Sequence, residues 1–246
     1  MDLGLTGKSV LITGGSKGIG FACARTFAAE GCRVHLAARD RARLEQARAQ
    51  LGGGTAVHAV DLRDAKALER LAAACAHVDI LVNNAGDIPG GTIDSVDDAK
   101  WRHAWELKVF AYINLSRALF ANMKARGSGV IVNVIGMAAE STPFEYICGA
   151  SANAGLAAFT KALGKGAREH GVRVLGVHPP STRTDRIMQV MKAAAKAKLG
   201  DENRYPELIA AGSFTGMIEP EQVGDTVAFL ASPRAGQLSG VVLNLG

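Results

Sequence analysis

Seven short apolar runs rich in β-branched residues recur along this chain, with helix-length segments between them: KSVLITGG, RVHLAAR, TAVHAVDL, DILVNNAG, GVIVNVIG, VRVLGVHPP and GVVLNLG. Strands spaced this way read as βαβ units, whose right-handed crossovers place helices on both faces of a parallel sheet. Each run is nearly continuous in hydrophobic residues, as expected of strands covered on both sides. The pattern therefore predicts an α/β chain built on a seven-stranded parallel sheet. With 246 residues, 48% of them hydrophobic, one sizeable core can form, so residues 1–246 are expected to make a single domain.

Composition narrows the possibilities further. No apolar run reaches the ~18 residues of a membrane span, and the segment DLGLTGKSV runs directly into the first strand, so a soluble, cytoplasmic protein without a membrane partner is expected. The net charge of +5 lies mostly on amphipathic stretches such as RDRARLEQARAQL and MKAAAKAKL, without interleaved aromatics. Solvated helix faces explain it better than nucleic acid does. Cys23, Cys32, Cys75 and Cys148 show no CxxC spacing, and the six histidines show no HxxxH or HExxH pattern. Reduced, structural cysteines and no metal site are expected.

The most informative loop is TGGSKGIG at 13–20, which follows the strand KSVLI and precedes the helical FACARTFAAEG. Strand, glycine loop and helix in this order form a dinucleotide-binding context. Gly14, Gly18 and Gly20 let the chain turn tightly, and with Ser16, Lys17 and Ile19 they bring helix N-terminal amides toward a pyrophosphate. A carboxylate at the end of the second strand would grip a ribose 2′-hydroxyl. Here that strand ends Ala37-Ala38-Arg39. The guanidinium of Arg39, with Lys17 in the loop, suits a 2′-phosphate, so NADP(H) is expected over NAD(H).

TGGSKGIG, VDL at 60–62, LVNNAG at 81–86, GVIVNV at 129–134, LAAFTKAL at 156–163, VHPPSTRTD at 177–185, and EPEQVGDTVAFLAS with SGVVLNL near the C-terminus together resemble the short-chain dehydrogenase/reductase family over essentially the whole chain. The resemblance implies a single-domain Rossmann fold that uses a nicotinamide cofactor and forms a homodimer or homotetramer. It also implies Asp61 and Leu62 at the adenine and the backbone of Asn84, Ala85 and Gly86 along the ribose. Thr184 would lie near the nicotinamide amide or the phosphates. The family's usual Pro-Gly after the sixth strand is Pro179-Pro180 here.

In that family a serine, a tyrosine, a lysine four residues later and an asparagine from the preceding long helix carry the chemistry. The tyrosine exchanges a proton with the substrate oxygen, and the lysine lowers its pKa. Counting from Leu156 and from Asn133 assigns the tyrosine position to Gly149, the lysine to Asn153 and the serine to Gly136. Counting from Trp101 and Met123 assigns the asparagine to Lys108. Lysine and asparagine have traded places. Tyr146, one helical turn before position 149, is the candidate phenol, with Lys108 to lower its pKa, Asn153 to orient either group, and Ser141 or Thr142 to supply the hydroxyl. The alternatives are that Tyr146 only packs at a helix start, that Lys108 is a surface or interface charge, and that Ser141 and Thr142 are turn residues.

Residues 185–217, DRIMQVMKAAAKAKLGDENRYPELIAAGSFTGM, are inserted at the C-terminal edge of the sheet and are expected to form a helical substrate lid. Ile187, Met188, Met191, Leu199 and Phe214 in it suit an apolar ligand or simple lid packing. The reading that unites these features is an NADP(H)-dependent oxidoreductase, transferring hydride between nicotinamide and a small carbonyl or alcohol substrate through a rearranged site. The alternative is a catalytically silent NADP(H)-binding protein, a sensor or partner subunit.

Overall fold

The computed structural model describes residues 1–52, 54–210 and 217–246. The elements run β1 (Ser9–Thr13), α1 (Gly18–Ala29), β2 (Arg33–Ala38), α2 (Arg41–Leu51), β3 (Ala56–Ala59), α3 (Ala65–Ala74) and β4 (Ile80–Asn83) through the first half. A long helix follows, made of α4 (Asp98–Trp105), a π-helical turn (Glu106–Phe110) and α5 (Ala111–Arg126). The second half holds β5 (Gly129–Val134), α6 (Ala138–Ser141), α7 (Ile147–Ala167), β6 (Val172–His178), α8 (Asp185–Leu199), α9 (Tyr205–Ala210), α10 (Pro220–Ala231) and β7 (Val241–Asn244). All seven strands form one parallel sheet in the order β3-β2-β1-β4-β5-β6-β7. The order reverses between β1 and β4, so the C-terminal ends of the strands open a crevice there.

Strand alternation divides the core. Val10, Ile12, Val34, Leu36, Val132 and Val134 pack with Phe27 of α1, Leu44 of α2 and Val223 and Val227 of α10 on one face. Leu11, Ala37, Leu81, Ile131 and Val174 point the other way, onto Leu68 and Leu71 of α3 and Leu115, Leu119 and Met123 of α5. Successive residues of one strand thus enter opposite layers. Each fully buried aliphatic side chain contributes about 1.5–3 kcal/mol.

A buried polar chain sets the helices that carry the site. Asn83 Nδ2 donates to Ser116 Oγ of α5 at 3.0 Å and to Asn133 Oδ1 of β5 at 2.9 Å. Asn133 Nδ2 donates onward to Thr160 Oγ1 of α7 at 2.8 Å, whose hydroxyl returns to Leu156 O. Any slip of α5 or α7 along the sheet would strand these groups without partners, which is costly inside a core.

The segment after β6 holds α8, a short 3-10 turn and α9; residues 211–216, Phe214 among them, lie outside the described residues. Met191 is fully buried, which makes packing its use, while Ile187, Met188 and Leu199 are half-buried. Among the described residues, no helix is long and apolar enough to cross a membrane.

Candidate active site

The loop from β1 to α1 is shaped by what its glycines lack. Gly14 and Gly18 have φ of 66° and 55°, a region L side chains avoid. A Cβ on Gly14 would lie 2.9 Å from Asn84 Nδ2, one on Gly20 would overlap Gly14 O, and one on Gly18 would touch Thr184 Cγ2 at 3.3 Å. Asn84 locks the two loops together: its amide and that of Ala85 donate to Thr13 Oγ1 at 2.9 and 3.1 Å, and its Nδ2 donates to Thr13 O at 3.0 Å. The result is a cradle whose rim presents the first-turn amides of α1, which have no intrahelical acceptor. Ser16 and Ile19 are half-buried on this rim, and Lys17 is exposed.

Thr184 caps α8, accepting from Ile187 N, and so sits over the same cradle. Pro179 is buried at the end of β6, and its carbonyl accepts from Met137 N at 3.0 Å. Beyond β3, Leu62 is buried and Asp61 is gripped by Arg63 through paired hydrogen bonds. Those bonds, and more distantly Arg39, hold the Asp61 carboxyl below the usual carboxylate range. Arg39 itself stands exposed just past β2.

Two of the positions singled out for catalysis, Lys108 and Asn153, meet at the loop after β5. Lys108 lies in the π-helical turn of the long helix, an interruption often found at functional sites. Its stem crosses Gly86, where a Cβ would come within 3.0 Å of Lys108 Cδ, and its Nζ donates to Ile135 O at 2.6 Å. Asn153 of α7 donates from Nδ2 to the next carbonyl, Gly136 O, at 3.3 Å, while its buried Oδ1 has no partner. Lysine and asparagine therefore hold adjacent carbonyls from two different helices. Burial, and then the nearby charge of Arg186, push the Lys108 ammonium down to about 7.

Tyr146 caps α7, and its ring occupies the space that a side chain at Gly149 would enter: a Cβ there would overlap the ring carbons. A short bridge between Gly91 and Tyr146, closed by Gly91 N donating to Glu145 O at 2.7 Å, sets the residue from the other side. Burial raises the phenol pKa; the cation that opposes this is Arg186 of α8, where the sequence reading expected Lys108. The other two tyrosines are accounted for: Tyr112 is buried in the core and donates to Val134 O, and Tyr205 begins α9. Ser141 is exposed and spends its hydroxyl on Met137 O of its own helix turn. Thr142 closes α6 with φ 41°, an unusual conformation for a β-branched residue. Both therefore behave as turn residues.

Two further residues belong to this region and escaped the sequence reading. Arg186 donates from Nη1 to Gly86 O at 3.0 Å and from Nη2 to Ile88 O at 2.7 Å, beside Asp87 at 3.4 Å, pinning the first turn of α8 to the loop after β4. His178 is buried at the end of β6, with neither ring nitrogen hydrogen-bonded and Nε2 3.7 Å from Glu140 Oε1. Burial lowers its pKa, against an opposing pull from Glu140. Its place directly before Pro179 in VHPP was the available signal; for Arg186 there was none, because its partners are backbone carbonyls 98 and 100 residues away.

With this geometry in view, similarity to known proteins is extensive. The profile of the short chain dehydrogenase family matches residues 8–195. The 2,3-dihydro-2,3-dihydroxybenzoate dehydrogenase of Bacillus subtilis (strain 168) is 31% identical over 251 residues, covering 96% of this chain and 93% of the relative. The crystal structure of L-sorbose reductase from Gluconobacter frateurii, complexed with NADPH and L-sorbose, superimposes with a TM-score of 0.91 at 31% identity, covering 100% of this chain and 97% of that one. A 7 alpha-hydroxysteroid dehydrogenase complexed with NADH and 7-oxo glycochenodeoxycholic acid gives a TM-score of 0.83 at 28% identity, with 99% and 94% covered.

Proposed function

Because this chain belongs to the short chain dehydrogenase family, we propose that it is an NADP(H)-dependent oxidoreductase acting on a small carbonyl or alcohol substrate, with Tyr146 as its proton-transfer group. The observation that carries this reading is the ring of Tyr146 lying in the side-chain space of Gly149. A phenol displaced by one turn thus reaches the region from which the family's tyrosine acts.

The fit of the cofactor rests on the cradle. Side chains at positions 14, 18 and 20 would fill it, so backbone amides line it instead. Gly14, Ser16, Lys17, Gly18, Ile19 and Gly20 would hold the pyrophosphate with Thr184 above them, Asp61 and Leu62 the adenine, Asn84 to Gly86 the ribose, and Pro179 the nicotinamide wall. Arg39 and Lys17 are exposed cations suited to a 2′-phosphate, and the Asp61 carboxylate is already taken by Arg63. The NADPH in L-sorbose reductase supports this choice, while the NADH in the hydroxysteroid dehydrogenase marks the competing one. When bound, the nicotinamide supplies or accepts the hydride.

The chain's own residues would handle the proton. Burial keeps the Tyr146 phenol protonated at neutral pH, which suits it to donate to the oxygen of a carbonyl being reduced. Lys108 and Asn153 brace the Ile135-Gly136 loop, and Lys108, brought down to about 7 by burial, would serve as a proton-exchanging group near the substrate. The helices α8 and α9 would serve as the lid, with Arg186 as its latch and Thr184 as the cap at its start.

The test is hydride transfer from NADPH across a panel of ketones, aldehydes and enones, with Tyr146→Phe alongside. Turnover in the parent and a loss of about 10²–10⁴-fold in the variant is the expected result for a general acid. Cofactor binding without turnover on any substrate would instead identify a silent NADP(H)-binding protein.

A further inference from the structure

Away from the cleft, the pairing of β2 with β3 assembles a cluster that spacing in the sequence does not reveal. The parallel register sets His35 opposite Ala56 and Ala37 opposite His58, so both imidazoles project from the same face as diagonal neighbours. That face is the one covered by α3, and Cys75, the residue that ends α3, completes the group. His35 Nδ1 lies 3.2 Å from His58 Nε2, and Cys75 Sγ lies 3.6 Å from His58 Nε2 and 3.9 Å from His35 Nδ1. His77 stands edge-on to His35 with ring centroids 5.2 Å apart.

We propose that His35, His58 and Cys75 form a transition-metal site with zinc as the best-fitting ion, His77 or solvent completing the coordination. A tetrahedral zinc bonded to nitrogen at ~2.0–2.1 Å and sulfur at ~2.3 Å sets its ligand atoms about 3.3–3.6 Å apart. The three observed separations bracket that range, so an ion can enter with small side-chain rotations and no backbone movement. A thiolate with imidazoles selects zinc or a similar soft-to-borderline ion over magnesium or calcium. Cys75 is completely buried and the two histidines half-buried, which shields the ion while leaving entry from the edge of the sheet beside β3. Binding releases the Cys75 proton. The ion would clamp the edge strand β3 to β2 and to the end of α3, far from the hydride-transfer site, and so acts on stability.

The experiment uses untagged protein stripped of metal and titrated with cobalt(II). One equivalent per chain should generate thiolate-to-cobalt charge-transfer absorption with the intense visible bands of tetrahedral cobalt. Zinc(II) should bleach both and raise the melting temperature. Cys75→Ser should abolish the charge-transfer band and His58→Gln should weaken binding by about 100-fold or more, whereas Cys32→Ser should change neither. Each variant is checked for folding by circular dichroism; if Cys75→Ser does not fold, the His58→Gln and Cys32→Ser titrations decide. No charge-transfer band in the parent, a band that survives Cys75→Ser, or equal loss in Cys32→Ser would overturn the site.

Discussion

A side chain at position 149 and the ring of Tyr146 exclude one another, because the first would be built into the second. Gly149→Ala should therefore expel the phenol without harming the fold, and its loss of turnover should approach that of Tyr146→Phe. Combined in one chain, the two changes should cost little more than either alone, since both remove the same group. Steady-state rates of the four proteins in that cycle check the coupling; additive losses would separate the two residues. Lys108 offers a second test at this scale. Its ammonium titrates at about 7 in the folded chain against 10.5 ordinarily. Between those values the unfolded chain keeps a proton that the folded chain has released, so unfolding free energy climbs as pH rises through that window. As pH falls through about 7 the gain is lost. Denaturant midpoints at about pH 7 and about pH 9 should show this rise in the parent and not in Lys108→Met.

Among the elements, α8 is tied to the loop after β4 by Arg186, which bonds Gly86 O and Ile88 O. Removing it frees Gly86 O and Ile88 O and detaches the first turn of α8. Arg186→Ala should raise KM by more than it lowers kcat, and hydrogen exchange should quicken over residues 185–199. Unchanged exchange there would count against a latch. The π-helical turn deserves its place for a similar reason. It turns Lys108 inward over Gly86 to reach Ile135 O, a position that an amphipathic pattern cannot forecast, because apolar periodicity assumes 3.6 residues per turn throughout. In the loop from β1 to α1, Gly20→Ala should abolish cofactor binding in a thermal-shift assay, as its Cβ has only Gly14 O and Asn84 to meet.

At the scale of the whole molecule, the sheet order brings the β1 loop, the β4 loop and the segment after β6 to one crevice, which is why Asn84 meets Gly14 and Thr184 meets Gly18. Cofactor choice is a property of that assembled crevice. Arg39→Asp should reverse the relative stabilisation by NADPH and NADH in thermal shifts; tighter binding of NADH by the parent would refute the role given to Arg39. The seven strands and the glycine loop were legible in order along the chain, because alternation of apolar runs and the strand-glycine-helix succession are local signals. The convergence of Lys108 with Asn153 was legible as well, through register counted from flanking motifs. Local pattern thus determined the fold class and the glycine loop that lines the crevice. What the tertiary structure alone decided is which groups act on each other: Arg186 rather than Lys108 as the cation that opposes the rise of the Tyr146 pKa, Ser141 turned back on its own helix, His178 buried at the end of β6, and two histidines and a cysteine gathered from β2, β3 and the end of α3. Apart from the local bond of Ser141, these are contacts across tens of residues, and they depend on the pairing register, on a π turn and on the packing of helices over the sheet, none of which leaves a periodic mark on the chain.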